Sequence, residues 1–514
     1  MVEFFPKKPQ LSPPLSSFQV LLTFFPMENT NPNPEFQRSL GLLDGTMLVA
    51  GGMIGSGIFI VSADCARMVG SSGWMLLLWL VAGAVTITAA LSYGELAGMM
   101  PKAGGQFVYI QRAYGQLPAF LYGWTVFTVI QTGTIAAVAV AFAKFTGFFF
   151  PVLSPDNVLI RVGDFKIAAS QVFAIALIAL LTIVNSRGIQ NGRIIQLVFT
   201  SAKLVALLAL VVLGLAVGLK GDVFSQNMQN AWQATQTTLV EGQWITTSIT
   251  GLALLMAFGT AIIGPLFSSD AWNNVTFIAG EMKNPRRNIP LSLLFGTCIV
   301  TALYILANLA YLALLPLHGD AQATDVVGQG IQFAGSGTDR VGTAAASMIF
   351  GNVAAGLMAG LIMISTFGCN NGLILAGARV YYAMAQEGLF FKKAATLNTS
   401  NVPGFALVIQ AIWASVLCLS GTYGDLLDYA TFASLMFYIV TIGGIFILRR
   451  SEPEAERPYR VFGYPWIPAL YILVAGAICV ILLITKPQNT WSGVFIVLLG
   501  VPVYYWQKRR QEKA

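Results

Sequence analysis

Apolar residues in this chain run in long blocks, separated by short stretches rich in charge, proline or glycine. A block of 18 or more apolar positions is long enough to cross a hydrocarbon core of about 30 Å as a helix. Twelve such blocks centre on residues 46–69, 74–100, 118–150, 168–184, 196–219, 247–279, 290–315, 341–384, 403–419, 426–448, 465–484 and 491–505. A membrane barrel would instead show alternating segments of about ten residues. The pattern predicts an all-α integral membrane protein with twelve transmembrane helices.

Composition agrees with lipid as the solvent. Hydrophobic residues make up 56% of the 514 and charged residues 10%, with a mean hydropathy of +0.71. Positive residues stay on the cytoplasmic side of a membrane. With the N-terminus inside, 21 of the 29 lysines and arginines fall in cytoplasmic segments and 7 on the opposite face, which places both termini in the cytoplasm. The net charge of +7 follows from that asymmetry, so it is no nucleic-acid footprint. Cys65, Cys298, Cys369, Cys418 and Cys479 show no paired spacing, and no disulfide framework is indicated. The proline-rich preface, residues 1–27, reads as a disordered tail or as sequence upstream of a start at Met27.

Two blocks are interrupted. GGMIGSGIF, Gly51 to Phe59, holds four glycines in nine residues, and each costs a helix about 1 kcal/mol relative to alanine. By itself this stretch fits close helix packing, because Gly51 and Gly55 are four apart. It equally fits a broken helix. The block at 247–279 carries IIGPLFSSDAWNN, Ile262 to Asn274, in which Pro265 and a polar run interrupt the apolar sequence. Proline removes a helical hydrogen bond, so a break there is expected. Interruptions in the first and sixth spans, each opening a set of five helices, point to a transporter built from an inverted repeat of five plus five. The expected divisions are a tail 1–39, a first repeat 40–220, a second repeat 240–450, two further helices in 460–506 and a tail 507–514.

Irregular backbone survives in a bilayer only where it lines an enclosed cavity. A half-helix starting near Ser56, Gly57 and Ile58 exposes free N–H groups and about +0.5 of charge, suited to a carboxylate. Carbonyls freed around Ile54 and in Leu266 to Ser269 suit an ammonium group. Together they describe a site for a zwitterionic amino acid.

These stretches, with YGELAGMMPKAGGQFVYI at 93–110, TSAKLVALL at 200–208, LFSSDAWNNVTFIAGEMKNPRRNIP at 266–290, STFGCNNG at 365–372, AQEGLF at 385–390 and RPYRVFGYPWIPALY at 457–471, occur in one order. From about Leu40 onward the chain resembles the amino acid–polyamine–organocation transporters, in particular their L-type branch. The resemblance implies a leucine-transporter-like fold, a carboxylate loop at Ser56, Gly57 and Ile58, and amine-binding carbonyls at Ile54, Phe267 and Ser268. It also implies that Phe267 closes over the substrate and that Asn273 helps hold the unwound segment. Branch members with a heavy partner subunit carry a cysteine after the third span. The loop from Phe150 to Lys166 has none, which implies a protein without a disulfide-linked heavy subunit.

Lys203 is expected about two turns into the fifth span, where an ammonium costs roughly 2.5 to 3.5 kcal/mol. It either snorkels toward the cytoplasmic interface or stands where sodium sits in sodium-driven relatives, touching groups near Gly51 and Ser365. The second reading rests on the resemblance and implies sodium independence. Asp270 either attracts a cationic side chain or caps a half-helix resuming at Ala271. Glu95 and Glu281, near Lys102 and Lys283, read as ion pairs at helix ends.

No cofactor is implied, since no nucleotide loop is present and the lone His318 makes no zinc cluster. Aspartyl catalysis needs two facing carboxylates, and the spans offer one at mid-depth. A channel also uses broken helices, but no filter repeat is visible. The expectation is a secondary transporter of L-amino acids in the plasma membrane, sodium-independent, exchanging substrates or coupled to protons, with cationic amino acids or polyamines as the alternative cargo.

Overall fold

The computed structural model describes residues 36–162, 165–334, 340–420 and 423–511. The preface at 1–27 lies outside them. Among the described residues nine helical segments are long and apolar enough to cross a membrane: Ser72–Met99, Gln116–Phe149, Ala169–Ser186, Ile189–Gly218, Gly251–Ser268, Pro285–Leu314, Val341–Gln386, Ala430–Ser451 and Trp466–Thr485. Shorter apolar helices cover Leu42–Met53 and Gly404–Leu419, and a further helix runs over Pro487–Gln511. The protein is a multi-pass, mainly helical membrane protein.

The first span is interrupted as its glycines suggest. Helix Leu42–Met53 ends, a 3-10 turn covers Gly57–Phe59, and helix resumes at Val61–Val69. The sixth is interrupted at a different place from the one its proline suggests. Helix Gly251–Ala261 gives way to Ile263–Ser268, which contains Pro265, and the chain is non-helical from Ser269 to Asn273 before Asn274–Phe277. Pro265 lies inside the span Gly251–Ser268, where the helix is interrupted only at Ile262 and then resumes; the Ala261 carbonyl, which a residue with an N–H at 265 would have bonded, faces the Cys65 thiol at 3.9 Å instead. The unwinding instead centres on Ala271, whose φ of 65° is left-handed and rare for a residue with a Cβ.

Two elements depart from the all-α expectation. Val158–Val162 pairs with Phe165–Ala168, and Thr235–Val240 pairs with Gln243–Ser248, both antiparallel. The second hairpin turns through Glu241 and Gly242, each at positive φ, the two-residue geometry that matches strand twist. Its TQTTLV and QWITTS strands are rich in β-branched residues but too short to register beside the apolar blocks.

Helix Pro285–Leu314 packs through small residues. A side chain at Gly83 would overlap Thr301, and one at Gly296 would overlap Val49, so three helices meet at backbone distance. In lipid, where no hydrophobic gradient drives helices together, such close approach supplies the dispersion contact.

One end of the bundle is locked by charge. Arg379 meets Glu281 at 2.8 Å with both side chains almost fully buried, and Arg449 holds Glu95 through two bonds of 2.8 and 2.6 Å. Arg457 approaches Glu95 at 3.4 Å. The acidic residues therefore pair with arginines from distant helices and loops, not with the nearby Lys102 and Lys283. The amides of Ser39 and Leu40 both donate to the Glu281 carbonyl and tie the N-terminal segment to the same place.

Gly296→Val will overpack against Val49, costing about 1 to 3 kcal/mol, read as a lower melting temperature in detergent. Arg379→Met will cost about 3 to 5 kcal/mol because it strands a buried carboxylate. Adding Glu281→Gln in the same chain will recover much of that loss, and a double variant no more stable than Arg379→Met would refute the pairing.

Candidate functional site

A helix that stops inside a membrane leaves its last four carbonyls without partners. At the first break other helices supply the donors. The Met53 carbonyl lies 3.0 Å from the Tyr304 hydroxyl, and Gly52 accepts from the Cys369 thiol at 3.2 Å. Gly51 accepts from the Lys203 amine at 2.5 Å. Ala50 receives the Ile54 amide. Within the loop, Ile54 accepts from both Lys203 (2.6 Å) and Ser365 (2.9 Å), Gly55 from Ser365 (3.1 Å), and Ile58 from Tyr311 (3.3 Å).

The donors arrive on helical faces. Tyr304, Asn308 and Tyr311 recur at i, i+4 and i+7 on one helix, where Asn308 accepts from Ser62. Ser365 and Cys369 are four apart on another. Gln196, Thr200 and Lys203 line one face of Ile189–Gly218, with Gln196 and Thr200 both reaching the Met47 carbonyl at 3.3 Å. Sequence reasoning overlooked Tyr304, Asn308, Tyr311, Cys369, Gln196 and Thr200. Their signal was present as polar residues at helical spacing inside apolar blocks.

Lys203 sits halfway along its 30-residue helix, about 21 Å from the start at 1.5 Å per residue. That is four turns in, not two, because the helix begins at Ile189 in a polar stretch that hydropathy passes over. Its side chain is 1% exposed, and the amine also reaches the Ser365 carbonyl at 3.4 Å. It does not snorkel.

Three amides remain. Among the described residues the N–H groups of Ser56, Gly57 and Ile58 meet no acceptor from backbone or side chain, although all three residues are buried. Gly55 beside them is partly exposed. Gly57 has no room for a side chain because the Ser268 side chain fills that space, so the two breaks touch there. Tyr304 joins them again, since its hydroxyl is also 2.9 Å from the Ser268 carbonyl and shares its one proton between two acceptors.

At the sixth break the Phe267 carbonyl receives the Asp270 amide. Phe267 itself is partly exposed beside buried Ser268. Asp270 caps no helix: regular structure resumes at Asn274, and the carboxylate accepts from the Tyr438 hydroxyl at 2.6 Å. Asn273 donates to Gln106 at 3.0 Å, and Gln106 to Thr441 at 2.9 Å, which ties the unwound segment to two other helices. Behind this segment lies a small cavity of about 20 Å³ lined by Gln106, Gln131, Asp270, Asn273, Asn274 and Tyr438, among others. The Asn274 amide nitrogen and the Ser434 hydroxyl are buried there without protein partners.

The structure thus brings Ile54, Ser56, Gly57 and Ile58 against Ser268 and Lys203, with Phe267 adjacent in the chain. Asp270 and Asn273 face the cavity on the far side of the second break.

Sequence comparison places this geometry in a family. The Amino acid permease family profile matches residues 40–504. Similar proteins include the b(0,+)-type amino acid transporter 1 of Mus musculus, 28% identical over 91% of this chain and 88% of its own. The serine/threonine exchanger SteT of Bacillus subtilis is 30% identical over 92% of this chain and 98% of its own. The large neutral amino acids transporter small subunit 2 of Homo sapiens is 28% identical over 92% and 82%. With two broken helices whose carbonyls are capped by other spans, and a profile covering nearly its whole length, this chain belongs to the amino acid permeases of the amino acid–polyamine–organocation superfamily, on their L-type side.

Proposed function

We propose that the chain moves L-amino acids across the plasma membrane as a sodium-independent secondary transporter, with main-chain groups at the two breaks holding the substrate. One observation carries this reading: at the first break every stranded carbonyl has a donor, while the amides of Ser56, Gly57 and Ile58 have no acceptor. Buried unpaired N–H groups are costly, and a substrate carboxylate relieves them. The Ile54 carbonyl has both lone pairs engaged by Lys203 and Ser365, so the ammonium falls to the remaining lone pairs of Phe267 and Ser268. Phe267 closes the site from outside.

Lys203 supports sodium independence. Its ammonium occupies the point where the Gly51, Ile54 and Ser365 carbonyls converge, which leaves no acceptor cage for a metal cation. Alternating access follows from the ion pairs. Glu281–Arg379 and Glu95–Arg449 hold one end shut, and they part when the substrate leaves on that side. In this reading twelve spans form a five-plus-five inverted repeat with both termini in the cytoplasm. The loop 150–166 has no cysteine, so the chain works without a disulfide-linked heavy subunit.

Asp270 favours a second reading in which cationic amino acids are carried. Unlike Glu95 and Glu281 it faces no arginine among the described residues. Its partner is the neutral Tyr438 hydroxyl, and it lines the cavity behind the break. A carboxylate so placed attracts an ammonium or guanidinium side chain.

Gly57→Val will abolish uptake of radiolabelled amino acid into proteoliposomes while leaving membrane insertion intact; normal uptake by a folded variant would refute the carboxylate site. Lys203→Ala will reduce uptake at least tenfold more than Lys508→Ala, and wild-type kinetics would remove the amine from the cycle. Preloading with internal amino acid will stimulate uptake if the protein exchanges, whereas an inward proton gradient will stimulate it if protons drive it. Asp270→Asn will weaken lysine uptake and spare leucine uptake if cationic substrates are carried.

A further inference from the structure

Away from the breaks, an open groove of about 450 Å³ runs between helices Ser72–Met99 and Pro285–Leu314 and beside the segment at Pro458 and Tyr459. Leu91, Leu291 and Leu294 line it, with Arg286 and Arg287 from the first turn of the second helix. The Tyr459 ring lies against Gly94, where a side chain would crowd it. Nothing in substrate binding or in the ion-pair lock uses this groove.

We infer that the groove holds one anionic phospholipid, with its phosphate on Arg286 and Arg287 and its acyl chains along Leu91, Leu291 and Leu294. The spacing along the helix suits such a molecule. Leu291 and Leu294 lie about 6 and 10 Å deeper than Arg287 at 1.5 Å per residue, the step from headgroup to upper acyl chain. Guanidinium groups pair with phosphate through two parallel bonds, and basic pockets between membrane helices bind anionic headgroups. Arg287 is exposed, and its side chain has no partner among the described residues. Arg286 meets Glu456 at 2.7 Å, but both side chains are more than half exposed. A pair so placed contributes little, so a phosphate displaces the carboxylate at small cost. Tyr459 belongs at this depth, its ring apolar and its hydroxyl toward the headgroups. The inference is independent of what the two breaks bind.

The test uses the full chain in detergent, titrated with phosphatidylglycerol or phosphatidylcholine, with bound lipid counted by native mass spectrometry. The wild type will retain one phosphatidylglycerol in preference to phosphatidylcholine. Arg286→Gln with Arg287→Gln will weaken that retention roughly 25-fold, about fivefold per arginine. Lys508→Gln with Arg509→Gln, the same charge loss elsewhere, will leave it unchanged. Soluble glycerophosphoglycerol, which has the headgroup without acyl chains, will not compete. Equal retention of the two lipids, or undiminished retention in the Arg286 and Arg287 variant, would overturn the assignment. So would effective competition by the soluble headgroup, or a dimer whose interface buries Leu291.

Discussion

Backbone polarity without water is the constraint on which this molecule turns. A helix can end in mid-membrane only if something else satisfies the groups it strands. Here an amine, a thiol and three hydroxyls do so, drawn from Lys203, Cys369, Tyr304, Tyr311 and Ser365. Three distant helices are thereby held around a few residues of loop. The glycines at 51 and 57 let those partners come near, since the space their side chains would need is filled by Gln196, Thr200 and Ser268.

That satisfaction is one-sided, and function grows from the imbalance. Among the described residues acceptors are covered and the donors of Ser56, Gly57 and Ile58 are not, so the loop keeps the partial positive charge on which the proposed carboxylate site rests. Ser365 bonds both Ile54 and Gly55, and Tyr304 bridges the two breaks. These hydrogen bonds couple the two breaks to their neighbouring helices, and in the absence of water none can be lost without a replacement.

Charge elsewhere is sorted by depth. Glu281 and Arg379 are buried and mutually neutralised, whereas Arg286 and Arg287 are exposed at the start of their helix. The same residue type thus forms a buried clamp with Glu281 in one place, while in the other its carboxylate partner Glu456 is solvent-exposed, which leaves it open to the lipid headgroup proposed above.

Much of this was legible in the chain alone. Apolar blocks set the spans, because nothing else can lie in hydrocarbon, and the glycine-rich stretch marked the first break, because glycine is the residue that a helix tolerates least after proline. Family resemblance brought Lys203 to the first-helix carbonyls, and their contact is in the structure. Tertiary structure alone decided the rest. The sixth helix unwinds fully around Ala271, while at Pro265 it is interrupted for a single residue, since the Ala261 carbonyl that the proline strands is met by the Cys65 thiol. Asp270 meets Tyr438 from a helix some 170 residues away, and Glu95 finds Arg449 across a gap twice as long. Local pattern reports which backbone groups will be stranded; only the packed fold determines which side chains arrive to meet them, because that depends on helix rotation and depth, which one sequence does not encode by spacing.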